Sequence, residues 1–363
     1  MTIFILPARL KLLHFQKHQL PLVAHALIKA CLLSDTSDPA YFFSYTENSY
    51  EISIVASVET IENDFLPLLN SATSSTIQVS KDVFRVLQVD DEGGQDCSGK
   101  RISDLSAPLA KAQFSIFYMS TYQTDFVLIK DMKLREAVLS LMHHGFEFDE
   151  ESVDEELGDL ENLKQPPSIA PDTIVIPEDE QYAADLSPTW EQTVLDNELR
   201  CVGLNKHADV ASWSMAILKI LLYPDMIDGY RDTTTPRFFS YTSTCEGVSL
   251  LTEQYIIDSF DENIICGTED ETPLRVVQIN LSDANLDRCG IVRSISHPLA
   301  TAAQINILYL STFTTANILV SAGDLEQALG VMSSTRRVED TEPYLEDPSV
   351  DQPAAALSEL IST

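Results

Sequence analysis

Phe42-Phe43-Ser44-Tyr45-Thr46 recurs letter for letter as Phe238-Phe239-Ser240-Tyr241-Thr242. Three looser matches follow in the same order. Arg85-Val86-Leu87-Gln88-Val89 returns as Arg275-Val276-Val277-Gln278-Ile279, Pro108-Leu109-Ala110 as Pro298-Leu299-Ala300, and Tyr118-Met119-Ser120-Thr121-Tyr122 as Tyr309-Leu310-Ser311-Thr312-Phe313, so all four sit at offsets between 190 and 196 residues. Ordered matches at nearly one offset mark an internal duplication, and each half of a duplicated chain is expected to repeat one architecture.

Within the first half the hydrophobic period switches between two and about 3.6. Residues 9–15 read as a strand, 22–33 as a helix, 41–46 and 50–55 as a hairpin across the turn residues Glu47-Asn48-Ser49, and 58–69 as a helix. The pattern then starts again, with strands over 84–89, 114–120 and 125–129 and helices over 102–111 and 131–143. Strand, helix, strand, strand, helix, run twice per half, is the ferredoxin-like split-βαβ order, in which helices cover one face of an antiparallel sheet. The second half repeats it, with helices near 209–222 and 291–303. The fold class expected is α+β, with four modules in two tandem pairs. The modules span about 1–80 and 81–148 in the N-terminal half (1–148), and about 191–270 and 271–335 in the C-terminal half (191–335).

The segment between the halves, 149–190, contrasts with both. From Asp149 to Glu180 it carries twelve acids and one base, Lys164, with several prolines. Low hydropathy and high charge leave too little apolar surface to offset the entropy of ordering, so a disordered linker is expected. The acidic tail 336–363 reads the same way, with a short helix over 350–361. The whole chain holds 56 acids against 23 bases, a formal charge of -33. That surface repels phosphate backbones and anionic headgroups, so neither nucleic acid nor a membrane surface is an expected partner. No apolar run approaches the about 18 residues of a membrane span. The six cysteines (Cys31, Cys97, Cys201, Cys245, Cys266 and Cys289) have no metal or disulfide-framework spacing, the pattern of reduced, mostly buried thiols in a cytosolic or nuclear protein, and a cytoplasmic setting is expected.

Signatures of catalysis are missing. The sequence has no phosphate-binding glycine loop, no HExxH and no GxSxG. His143-His144 point about 100° apart on a helix and read as C-terminal helix residues rather than metal ligands. Cys289 beside Arg288 fits a turn residue better than a nucleophile, since no base can be assigned to it. An enzyme, a cofactor and a metal are therefore not expected. One loop suits a small ligand: Asp287-Arg288-Cys289-Gly290-Ile291-Val292 runs from a strand end into a helix start, where a glycine allows close approach and free N–H groups favour a carboxylate.

The string Ser120-Thr121-Tyr122-Gln123-Thr124-Asp125-Phe126, with Ala107-Pro108-Leu109-Ala110 upstream, resembles the CASTOR family of tandem ACT-domain amino-acid sensors. Cys289-Gly290-Ile291-Val292, Pro298-Leu299-Ala300 and Ser311-Thr312-Phe313 are similar to that family's second half, and Leu27-Ile28-Lys29 and Phe42-Phe43-Ser44 to its start. The resemblance covers both halves and spares linker and tail. It implies four ACT modules of βαββαβ order, a homodimer, an arginine site between the second and fourth modules, and contact with the GATOR complex that controls the TOR kinase. The family's partner-contact residues correspond to Tyr122, Gln123 and Asp125. Its ligand residues correspond to Ser115 and Ile116 in the second module, and to Cys289, Gly290, Ile291, Val292, Thr312 and Phe313 in the fourth.

Two departures bear on the ligand. Arg288 stands where the family has a glutamate, and Ala316 where it has an aspartate. A guanidinium wants carboxylates that accept paired hydrogen bonds. Losing one acid and reversing the charge of another disfavours arginine by several kcal/mol in a desolvated site. A neutral or acidic amino acid is expected instead. Two rivals remain open: an interaction protein of the same fold that binds no ligand, and a regulatory subunit of an amino-acid biosynthetic enzyme.

Overall fold

The structure, a computed structural model, describes residues 1–70, 77–90, 98–158, 191–205, 207–230, 236–267, 272–282 and 289–338. Most of the expected linker, the tail from 339 on with its helix over 350–361, and the loop residues Asp287 and Arg288 lie outside these residues, while 336–338, expected to belong to the frayed tail, end a helix.

The first half runs β1 (Thr2–Phe15), α1 (Leu20–Ile28), β2 (Phe42–Glu47), β3 (Ile52–Ser57), a helical segment α2 (58–70) and β4 (Gln78–Val79). It continues with β5 (Phe84–Asp90), α3 (Ser98–Lys111), β6 (Ile116–Ser120), β7 (Asp125–Lys130), α4 (Leu134–His143), β8 (Glu147–Phe148) and α5 (Glu150–Leu157). The second half runs β9 (Gln192–Val194), β10 (Leu199–Leu204), α6 (Val210–Leu222), β11 (Phe239–Thr244), β12 (Gly247–Glu253), α7 (Gln254–Ile257) and β13 (Ile265–Cys266). It ends with β14 (Leu274–Asn280), α8 (Ile291–Thr301), β15 (Ile307–Ser311), β16 (Thr315–Ser321) and α9 (Leu325–Val338).

The expected order of strands and helices is present, and the chain adds to it at each half's start. β1 is twice the length read from sequence. Its residues Leu10–Phe15 pair with β3, while Thr2–Leu6 pair with β5 in the next sheet group. The register shifts between Leu6 and Arg9, where Pro7 lacks the N–H a continuous ladder needs. β9 and β10 repeat the arrangement as two pieces, with β9 on β14 and β10 on β12. One leading segment per half thus serves two sheet groups.

Twelve strands close into a barrel-like ring in the order β10-β12-β11-β2-β3-β1-β5-β7-β6-β15-β16-β14, and a β10–β14 pairing completes the circuit. The halves meet along β2–β11, where Ser44 and Thr242, and Thr46 and Ser240, share hydroxyl hydrogen bonds of 2.9 Å. They meet again at a single β6–β15 pair, Met119 with Leu310. Alternation divides the apolar residues among three clusters. One fills the ring with Leu10, Phe42, Phe84, Phe126, Phe238 and Leu319. The other two lie between strands and helices: α1 with α6 on one side, and α3 with α8 on the other.

α5 is a correction to the linker expectation, which began at 149. Asp149 caps it by accepting from Ser152 N at 2.9 Å, Glu156 pairs with Arg85, and Val153 is wholly buried against β1's apolar neighbours. One fully buried valine is worth about 1.5–3 kcal/mol, enough to hold two turns of an otherwise acidic segment.

Candidate functional site

α3 and α8 pack side by side, with Ser103 Oγ 3.1 Å from His297 Nδ1. Desolvation, and then the nearby Arg293 charge, lower the His297 pKa. The chain enters α8 through Gly290 at φ +80°, a left-handed conformation that a side chain resists. The preceding Cys289 thiol donates to Gln113 O at 2.8 Å, tying this turn to the loop before β6. The start of α8, whose first N–H groups have no partner carbonyl in their own helix, thus lies beside the start of β6.

Between them lies a cleft lined by Ser106, Ala110, Phe114 and Ile116 on one side and by Gly290, Ile291, Val292 and Arg293 on the other. Its enclosed space is about 10 Å³, room for roughly one water, so a larger ligand enters only if α3 and α8 move apart. Among the described residues the lining carries one charged side chain, Arg293, and no carboxylate.

Four of the expected ligand residues, Ile116, Gly290, Ile291 and Val292, therefore meet at one cleft. Ser115 and Cys289 are their chain neighbours. Thr312 and Phe313 turn elsewhere, onto the N-terminal half. The Thr312 hydroxyl donates to Glu51 Oε1 at 2.7 Å, and Phe313 N donates to Ser53 Oγ at 3.2 Å. Ala316 is buried among apolar residues of the α3–α8 side, paired with Ser311 in the sheet. Ser106, Ala110, Phe114 and Arg293 were not singled out from sequence. The signal for the first two is their i, i+4 spacing, which puts both on one face of α3.

The turn expected to be an exposed partner loop is docked within the chain. Tyr122 is half-buried: its N–H donates to Ser249 Oγ at 2.8 Å, and its ring fills a notch over Gly203 and Gly267. A Cβ at Gly203 would lie 2.5 Å from Tyr122 Cδ1, so only glycine admits the ring. Gln123 is exposed, though Nε2 reaches Val248 O at 3.3 Å. Asp125 is 1% exposed and cannot meet a partner in this state. Arg101 Nε donates to its Oδ2 at 2.7 Å, and the Tyr118 hydroxyl donates to the same oxygen at 2.9 Å.

A profile of the ACT domain matches residues 79–142 and 271–334, which carry the two helices that flank the cleft. Those two segments are similar to the ACT domain. It is also related along most of its length to proteins named "Cytosolic arginine sensor for mTORC1 subunit 1", as the resemblance implied. The Mus musculus protein is 26% identical over 344 residues, 92% of this chain and 96% of that one. The Homo sapiens protein is 26% identical over 92% of this chain and 97% of its own. Among solved structures, aspartate kinase from Synechocystis superposes with a TM-score of 0.32 at 12% identity, covering 97% of this chain and 57% of the kinase, too low a score to carry an argument.

Proposed function

We propose that this protein is a non-enzymatic sensor that binds a small neutral or acidic amino acid in the cleft between α3 and α8. It reports occupancy by protein contact to a signalling complex of the TOR pathway, the GATOR-type complex that the resemblance implies. The observation that carries this reading is the turn at Gly290, which sets the α8 N-terminus and Arg293 across a narrow cleft from Ile116 and Phe114. A carboxylate suits that positive end. The relatives' names support an amino acid, a cytosolic setting and a TOR-pathway partner. Among the described lining residues there is no acid, which speaks against a guanidinium ligand.

On the same reading, the two strand groups outside the profile, β1 to β4 and β10 to β13, are also ACT modules, making four in tandem pairs, with 1–148 and 191–335 as the two domains. Gln123 and the edge of Tyr122 offer the partner contact, and Asp125 supports them from beneath. α1 and α6 leave Leu22 and Met215 exposed, the kind of apolar side chains a homodimer would cover.

Calorimetry with each of the twenty amino acids tests the reading. A neutral or acidic amino acid should bind, and a Gly290→Ala variant should lose that binding. Tight binding of arginine alone would overturn the ligand class. No response to any amino acid favours the rival of a ligand-free interaction protein, for which the small size of the cleft already speaks. Recovery of a biosynthetic kinase or dehydrogenase on pull-down would favour the regulatory-subunit rival.

A further inference from the structure

The duplication gives the cleft a counterpart at the start of α3. Pro108 matches Pro298 and Tyr118 matches Tyr309, so Arg101 stands where Ile291 lines the cleft, and Ile307 stands where Ile116 does. Sheet register fixes the remaining pair. Asp125 opposes Ser120 as Ala316 opposes Ser311.

The two places are built alike and occupied differently. At the counterpart, the Arg101 guanidinium lies on Asp125, whose carboxylate also holds the Tyr118 hydroxyl. The arginine side chain is 15% exposed and the aspartate 2%. The backbone at Gly99 presses against Ile305 O, leaving no room for a Cβ, so the crevice is shut. At α8 the carboxylate and the guanidinium are both gone, replaced by Ala316 and Ile291. Tyr309, the equal of Tyr118, keeps a wholly buried hydroxyl with no hydrogen-bond partner among the described residues. A buried orphan hydroxyl costs on the order of 1–3 kcal/mol, so its presence marks a place where a partner group has been removed.

We propose that the crevice beside α3 is a second ligand site of the same design, which the chain fills with its own side chain. The Arg101 guanidinium is the occupant, and Asp125 with Tyr118 is its receptor. The chemical class that this receptor takes is an alkylguanidinium. Of these two matched places, the one at α8 is a narrow unfilled cleft and the one at α3 is filled from within, whether or not the former takes an amino acid.

Truncating the occupant tests this. Arg101→Ala should lower the melting temperature, and millimolar propylguanidinium should restore about half of the loss or more. Propylammonium at the same concentration should not, because a compact, strongly hydrated ammonium does not match the planar guanidinium that donates through Nε to Asp125. The natural chain should not respond to either compound, and Arg101→Ala combined with Asp125→Asn should lose the rescue. A folded Arg101→Ala variant indifferent to propylguanidinium, or a double variant rescued equally well, overturns the proposal. If Arg101→Ala fails to fold alone, its refolding yield is measured with each compound. A yield raised by propylguanidinium alone supports the proposal, and equal yields overturn it.

Discussion

The ring of Phe313 stacks on the imidazole of His14, with centroids 4.4 Å apart and planes 16° from parallel. The contact has a twin. Tyr122, the residue that matches Phe313, lies over Gly203, and His14 and Gly203 hold the same place in the sheet, opposite Ser53 and Ser249. Both aromatic turns donate their backbone N–H to those serines. The halves thus grip each other by one device used twice, once against a polar wall and once against a bare backbone.

The bare side sets the first prediction. Gly203→Ala places a methyl group in the Tyr122 ring and should destabilise by about 1–3 kcal/mol, the usual range for overpacking. Tyr122→Ala in the same background removes the clash, so the two changes should be strongly non-additive in a denaturation cycle. Additive losses would mean that the ring does not occupy the notch.

Glu51 organises the polar side. Its Oε1 accepts from the Thr312 hydroxyl and from Thr314 N, both at 2.7 Å, while His14 Nδ1 lies 3.0 Å from Oε2, outside hydrogen-bond geometry. Glu51→Gln keeps the shape and removes the charge from both bonds. A loss of about 1.5–3 kcal/mol is expected in urea unfolding, since bonds to a charged acceptor are the strong ones. An unchanged midpoint would show that the turn is held by its apolar contacts.

Acid should act through Glu47. Burial opposes its ionisation, but Arg237, and Lys17 at 2.6 Å, hold the carboxyl below its usual 4.5. A carboxyl whose folded pKa is depressed adds stability that is complete above the unfolded value and disappears as pH falls through the folded one. Melting temperature should drop steeply below pH 4.5, and Glu47→Gln should flatten that slope while costing stability at neutral pH.

Ligand class can be moved as well. Ala316→Asp places a carboxylate beside the orphan Tyr309 hydroxyl, as Asp125 stands by Tyr118. An unpaired buried charge should destabilise the variant by a few kcal/mol, and free arginine should recover part of that. Thermal shift with arginine and glutamine compares the two, and an equal response to both would refute charge pairing.

Much of the fold was legible because repetition and period are local properties of a string. Phe42 to Thr46 and its copy announced the halves, and the change of hydrophobic period over 102–111 announced a helix. What escaped depends on residues distant in sequence. Nothing near Ile3 and Ile5 says that they complete a sheet begun at Phe84. Gly203 and Gly267 look like ordinary turn and strand glycines until a tyrosine from the other half lies on them. Asp125, polar and next to a turn, read as a surface contact because its partner Arg101 is a helix away. The cleft was half visible for the same reason: Gly290 and Ile116 sit in recognisable strings, whereas Ser106 and Arg293 matter only through how α3 and α8 face each other.

The leading strands have a practical consequence for anyone dividing this protein. Residues 79–142 and 271–334 match the ACT profile, yet each sheet is finished by a strand from well upstream, Thr2–Leu6 in one case and Gln192–Val194 in the other. A fragment cut at the profile's limits would expose an unpaired edge and behave as an acceptor, open to any chain able to lend it a strand. A short peptide with the sequence of residues 1–10, supplied in trans, is the donor that edge is shaped for.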